Sequence, residues 1–316
     1  MYQVDSSNGS HRPPPYVEWW YFHFACPDGT TLNMVLHETG IFGLHTTPYL
    51  SLSVHRPQQK PRYLRRELAA GSITTHAPYL QVERQLLVEN DQRISFQVAF
   101  EGDNCFRGEI DKQTEPLVIQ DGVLYCNERN GRSSHWVVGV PHATFQAVLQ
   151  LDGCTYPLEG FAYQDHQWGQ TLFQEWVADW VWGHFSNAET AVVFFQILTQ
   201  HGQRIERVAH LTPTSRLTGT AVNSHHLAFL QQQPALDQCQ TNVVAQLPYN
   251  ELAFAIHPNN LMRCRLQEPV GQQCASYLRW AATATLSACS DQRLYGITEY
   301  IQLRPAYGRI SSQQHH

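Results

Sequence analysis

The sequence predicts an all-β protein, and three observations carry the prediction. Short apolar and aromatic runs recur along the chain, bounded by Gly, Pro, Asp or Asn. β-branched and aromatic residues dominate those runs. Few stretches keep a helical period for three turns. Within 316 residues, 42% are hydrophobic and only 15% charged. Glutamine is abundant, and Lys60 and Lys112 are the only lysines. Uncharged polar groups therefore do much of the surface work.

Residues 1–15 read as a flexible tail ending in Pro13-Pro14-Pro15. The first predicted strand is Val17 to Phe24, VEWWYFHF. Leu32 to Leu36, Tyr49 to Val54, Ile94 to Phe100 and Phe145 to Leu151 follow. A short helix is expected around Gln170 to Trp176. The second half continues with Ala191 to Leu198, Ile205 to Leu211, Leu252 to Ile256, Arg263 to Leu266 and Ile297 to Leu303. Gln231 to Pro234 reads as a loop. The pattern is two β modules of similar size, joined near Gly169 to Asp179.

Charge and motifs exclude several classes. The net charge is -6 with histidines neutral, and no basic stripe exists for nucleic acid or anionic lipid. No apolar run is long enough for a membrane-spanning helix, and the N-terminus lacks the features of a secretory signal. The eight cysteines are dispersed, with no CxxC, so free thiols are expected. The His37-Glu38 pair does not extend to HExxH, and no metal site is expected. Nor does the chain contain G-x-S-x-G, a P-loop or G-x-G-x-x-G.

Strand parity sorts the candidate residues, because alternate side chains share a face. Trp19, Tyr21 and His23 fall on one side of the first strand, and Glu18, Trp20, Phe22 and Phe24 on the other. In FAYQDHQWG, Phe161, Tyr163 and Asp165 share a face, while Gln164, His166 and Trp168 share its reverse. Both faces are bulky and apolar. A carboxyl among them is either paired or raised in pKa. A protonated Asp165 beside a phenol could deliver a proton to a double bond or a carbonyl. Trp180, Trp182 and His184 share a face of DWVWGHF, and such an aromatic wall suits a large apolar or conjugated ligand.

Three segments coincide in order: EWWY at Glu18 to Tyr21, YQDHQWG at Tyr163 to Gly169, and DWVWG at Asp179 to Gly183. With Gly296-Ile297-Thr298-Glu299-Tyr300 they resemble the carotenoid 1,2-hydratase family and its AttH-like, lipocalin-like relatives, over roughly residues 16 to 303. The resemblance implies two consecutive lipocalin-like β-barrels, 16–170 and 171–310, with a ligand cavity near their junction. It implies an enzyme of secondary metabolism, a lyase (hydratase) or intramolecular cyclase, that needs no cofactor. Its substrate would be a large, hydrophobic, unsaturated small molecule, hydrated or cyclised with proton assistance. A template-type cyclase resembling Diels–Alderases, or a lipid or pigment carrier, are the alternative readings.

The expected catalytic residues are Asp165, Tyr163, His166 and Glu18. The expected substrate-binding residues are Trp19, Tyr21, His37, Trp136, Trp168, Trp180, Trp182 and His184. The family's His-x-Trp pair stands here as Ser134-His135-Trp136, so the histidine has moved by one residue or Ser134 replaces it. A one-residue shift turns a side chain to the opposite face. The expected location is the cytoplasm, with room for a peripheral position at a membrane. A homodimer is compatible with this reading.

Overall fold

The computed structural model describes residues 16–39, 47–76, 79–83, 86–211, 227–229, 241–246, 251–270, 273–286 and 293–305. The expected tail (residues 1–15) and the expected loop Gln231 to Pro234 lie outside the described residues. Twenty strands and one short helix are described. In the first sheet the strands are β1 (Val17–Ala25), β2 (Thr31–Thr39), β3 (Tyr49–His55), β4 (Arg62–Glu67), β5 (Ile73–His76) and β6 (Tyr79–Val82). They continue as β7 (Leu87–Glu89), β8 (Arg93–Ala99), β9 (Cys105–Lys112), β10 (Leu117–Cys126), β11 (Ser133–Leu151) and β12 (Cys154–Gly169). The helix α1 (Phe173–Trp176) links to the second sheet. Its strands are β13 (Val177–Ser186), β14 (Ala191–Thr199), β15 (Arg204–Leu211), β16 (Leu227–Phe229), β17 (Thr241–Gln246), β18 (Glu251–Val270), β19 (Gln273–Leu286) and β20 (Arg293–Pro305).

The two sheets run in the order β4-β3-β2-β1-β12-β11-β9-β8-β7-β6-β5, with β10 on β11, and β15-β14-β13-β20-β19-β18-β17-β16. Every pairing described is antiparallel; most join consecutive strands, β11 also pairs with β9, and β1 with β12 and β13 with β20 pair the beginning and end of each segment. The pairing of β1 with β12 brings EWWY beside YQDHQWG, with Tyr21 opposite Asp165.

Most predicted strands were found with longer bounds, Ile94 to Phe100 was found shifted by one residue as β8 (Arg93–Ala99), and two differ in kind. Leu252 to Ile256 and Arg263 to Leu266 are parts of the single strand β18, which survives Pro258 through register shifts against β19. The expected helix around Gln170 to Trp176 shrinks to the four residues of α1. Cys26, Cys105, Cys126 and Cys154 are free thiols. No helix among the described residues is long and apolar enough to cross a membrane.

Two cores follow from the two faces of β1 and β12. Trp20, Phe22, Phe24 and Ala162 pack with Leu32, Met34, Leu36, Phe96, Phe106 and Phe145 inside the first sheet. Tyr21, Trp19 and Tyr163 point the other way. They pack with Trp136, Trp176, Trp180, Trp182 and Phe195 between the two sheets. The site lies in this second core.

Candidate active site between the sheets

The site begins with backbone register. In β1 and β12, Trp19 pairs with Gln167, Tyr21 with Asp165 and His23 with Tyr163. On β2, His37, Val35 and Asn33 stand opposite Trp19, Tyr21 and His23. On β11, Trp136 stands opposite Gln167. These residues share one face of the first sheet. From the second sheet Trp182 pairs with Glu299, His184 with Ile297 and Arg279 with Glu299.

Asp165 is 2% exposed. The Tyr163 hydroxyl donates to its Oδ2 at 2.9 Å, and Gln167 Nε2 reaches Oδ1 at 3.4 Å. Burial raises the carboxyl's pKa from 3.8 to about 7. The donors Tyr163, Trp136 and Gln167 oppose that rise, and the Glu299 carboxylate adds to it. Near neutral pH the group therefore holds comparable protonated and ionised populations. That is the condition in which a carboxyl best serves as acid and base in turn. Tyr163 is buried, so its own proton is held more tightly than a phenol's in water.

A second polar group faces Asp165 from across the junction. Tyr21 donates to Glu299 Oε1 at 3.0 Å, Tyr277 donates to Oε2 at 3.0 Å, and Asn33 Nδ2 donates to Tyr21 at 2.6 Å. Arg279 pairs with Glu299 through Nε at 2.6 Å and donates to the Tyr277 hydroxyl. Arg279 and Glu299 are both buried, at 4% and 7% exposure. Such a pair holds only when each charge keeps its partner. His23 and His184, both fully buried, face each other with Nδ1 atoms 3.2 Å apart. Burial lowers the His23 pKa to about 3 and that of His184 well below its ordinary value. Both rings are neutral.

The predicted site residues thus divide. The structure gathers Asp165, Tyr163, Trp19, Tyr21, Trp136, Trp180, Trp182 and His184 in the core between the sheets. His37 shares their sheet face and stacks on Tyr49 at 4.3 Å. Glu18, His166 and Trp168 lie on the reverse face of β1 and β12. There His166 Nε2 meets Glu18 Oε1 at 2.9 Å, and the rings of Trp20, His166, Trp168 and His135 form a continuous stack. His135 is therefore turned away from Asp165, whereas Trp136 faces it. His166 and Glu18 thus pair with each other on the face opposite to that of Asp165.

Sequence reasoning missed Glu299, Arg279, Tyr277, Asn33 and Gln167. Glu299 stood within a quoted segment, and Gln167 within YQDHQWG. Arg279, between Leu278 and Trp280 in an apolar run, carried a weak signal: a lone guanidinium in a buried strand needs an acid.

The fold and this cluster define a lipocalin-like, all-β protein of two sheets with a carboxyl buried between them. Among solved structures the chain is similar to an AttH protein of Nitrosomonas europaea, with 16% identity, a TM-score of 0.62, and coverage of 92% of this chain and 97% of the other. It is also similar to CghA solved with Sch210972, with 9% identity, a TM-score of 0.60, and coverage of 92% and 89%. A third likeness is kievitone hydratase from Nectria haematococca, with 9% identity, a TM-score of 0.53, and coverage of 90% and 88%. At these identities the likeness establishes the fold alone. No protein-family model matches the sequence, and no curated protein matches it.

Proposed function

We propose that the chain is an acid–base enzyme that hydrates or cyclises a large, hydrophobic, unsaturated small molecule, with Asp165 as proton donor. The observation that carries this reading is a buried carboxyl with a pKa of about 7, held by a phenol inside an aromatic enclosure. The similar fold of a protein named as a hydratase, and of one solved with a small organic molecule, supports the reaction class.

In this reading the Asp165 O–H bond breaks as a C–H bond forms, and the alkene π pair is consumed. The cation left on the neighbouring carbon faces the ring planes of the enclosure. Capture by water forms a C–O bond, and the water's spare proton returns to the carboxylate, so one H2O is added and the acid is restored. In a cyclisation an internal nucleophile or second alkene closes the ring, and the proton lost afterwards returns to Asp165. Tyr163 holds the carboxylate through the cationic stage. Trp19, Tyr21, Trp136, Trp180 and Trp182 shape the enclosure. The pairing of Glu18 with His166 supports the back of the β1–β12 wall.

Asp165→Asn tests the reading. It keeps the shape and removes the proton. Turnover of the substrate is expected to fall by about 10²–10⁴-fold, the usual worth of general acid catalysis. Near-normal turnover would overturn acid catalysis and leave a template that works by holding the substrate folded.

A further inference from the structure

Two histidines meet across the junction, one from each sheet. His23 of β1 and His184 of β13 are fully buried, and their Nδ1 atoms lie 3.2 Å apart. The rings stand nearly perpendicular, at 79°, with centroids 5.4 Å apart. His184 also lies against the Tyr163 ring, at 4.6 Å. The contact therefore joins the sheets beside the hydrogen bond from Tyr163 to Asp165.

A nitrogen–nitrogen contact of this kind holds one hydrogen, which one imidazole donates and the other accepts. A neutral pair meets that condition. Doubly protonated rings turn two N–H groups on each other, and each proton brings a charge into a dry core. The surroundings offer little relief. Val193 and Ile297 stand opposite His184 on the neighbouring strands, and Asn33 and Tyr163 stand opposite His23. Arg279 of β19 opposes a proton on His23, and His142 of β11 opposes one on His184. His142 itself donates through Nε2 to the Asn187 carbonyl at 2.8 Å. The Pro141 carbonyl favours a proton on His184, but it carries no full charge. Tyr21 and Tyr163 hold their protons more tightly than free phenols. Glu299 is spent on Arg279, Tyr21 and Tyr277. Asp165 loses its charge as the pH falls through about 7. Acid thus removes negative charge from the junction before it brings positive charge to the histidines.

We propose that His23 and His184 form an acid-sensitive latch, which holds the sheets together while both rings are neutral and lets them part when the pair takes up protons. The backbone ladders run within each sheet and not through the latch, so the strands outlast it. In the closed junction His23 accepts a proton only near pH 3, against an ordinary value of 6.5. Between those values each proton bound favours the parted state. The latch holds whatever reaction Asp165 performs.

Acid titration of the full chain tests it. Trp19, Trp136, Trp176, Trp180 and Trp182 pack in the junction core, so their emission reports its opening. Far-ultraviolet circular dichroism reports the strands. Between pH 6.5 and about 3 the emission is expected to shift to the red while the strand signal persists. His23→Asn and His184→Asn each keep a hydrogen-bonding group that takes no proton. Each is expected to move the transition to lower pH by about one unit. Should a variant fail to fold, the ring NMR signals of His23 and His184 in the unaltered protein decide, and they are expected to titrate in step with the emission. Emission that holds steady across the range, a strand signal lost together with it, variants with an unmoved midpoint, or rings still neutral after the shift would each overturn the latch.

Discussion

Asp165 is a buried carboxyl, and its location has a cost that can be measured. A carboxyl with a folded-state pKa of about 7, against 3.8 in the open chain, binds more protons folded than unfolded between those values. Stability conferred by this group is therefore full below about pH 4 and declines as the pH rises to about 7. The whole excursion is on the order of 4 kcal/mol. Asp165→Asn removes the ionisation. Urea unfolding at pH 8 is expected to find the variant more stable than the parent by a few kcal/mol, with the difference vanishing near pH 4. A variant no more stable at pH 8 than the parent would mean that the carboxylate is accommodated without strain. The His23–His184 pair acts oppositely. Its folded pKa values are depressed, so its contribution is lost as the pH falls below about 6.5.

At the scale of the element, β12 explains why YQDHQWG ends in glycine. Gly169 pairs on one side with Val17 of β1 and on the other with Ser134 of β11. A Cβ added there would lie 2.3 Å from the Ser133 carbonyl oxygen and 2.8 Å from the Ser134 Cα. Both are backbone atoms and cannot swing aside. Gly169→Ala is expected to destabilise by about 1–3 kcal/mol through overpacking, read as a lower thermal midpoint. An unchanged midpoint would show that β11 can move away at no cost. The strand also marks what could be read in advance. Alternation alone separated Asp165 and Tyr163 from His166 and Trp168, because period-2 geometry is local. It equally foretold the opposition of Trp136 and His135. Partnership was another matter. Nothing in the sequence sets Arg279 opposite Glu299, since that register is fixed by hairpin lengths and bulges between β18, β19 and β20. The extent of β18 was hidden for a related reason: Pro258 reads as a break, whereas shifted register absorbs it.

At the scale of the whole molecule, buried polar contacts tie the two sheets together. Tyr21 reaches Glu299, and His23 reaches His184. Glu299 in turn neutralises Arg279, whose guanidinium carbon lies 5.3 Å from the Tyr21 ring centroid. Glu299→Gln strands a buried guanidinium and should cost about 3–5 kcal/mol. Replacing Arg279 and Glu299 together by leucine should recover much of that loss. Chemical denaturation of the three proteins checks both, and a mild effect of Glu299→Gln would show that Tyr21 and Tyr277 suffice to hold Arg279.

Strands β1 and β12 act as a party wall, with a different room on either side. The greasy room of the first sheet owns the even-numbered tenants of β1, and the room between the sheets owns the odd ones. Lengthening a hairpin disturbs neither. Inserting or deleting a single codon within the wall would exchange the tenants of both rooms along that strand, driving a tyrosine and a histidine into the greasy room and a glutamate into the one between the sheets. Length variation across evolution should therefore gather in the loops and spare these two segments.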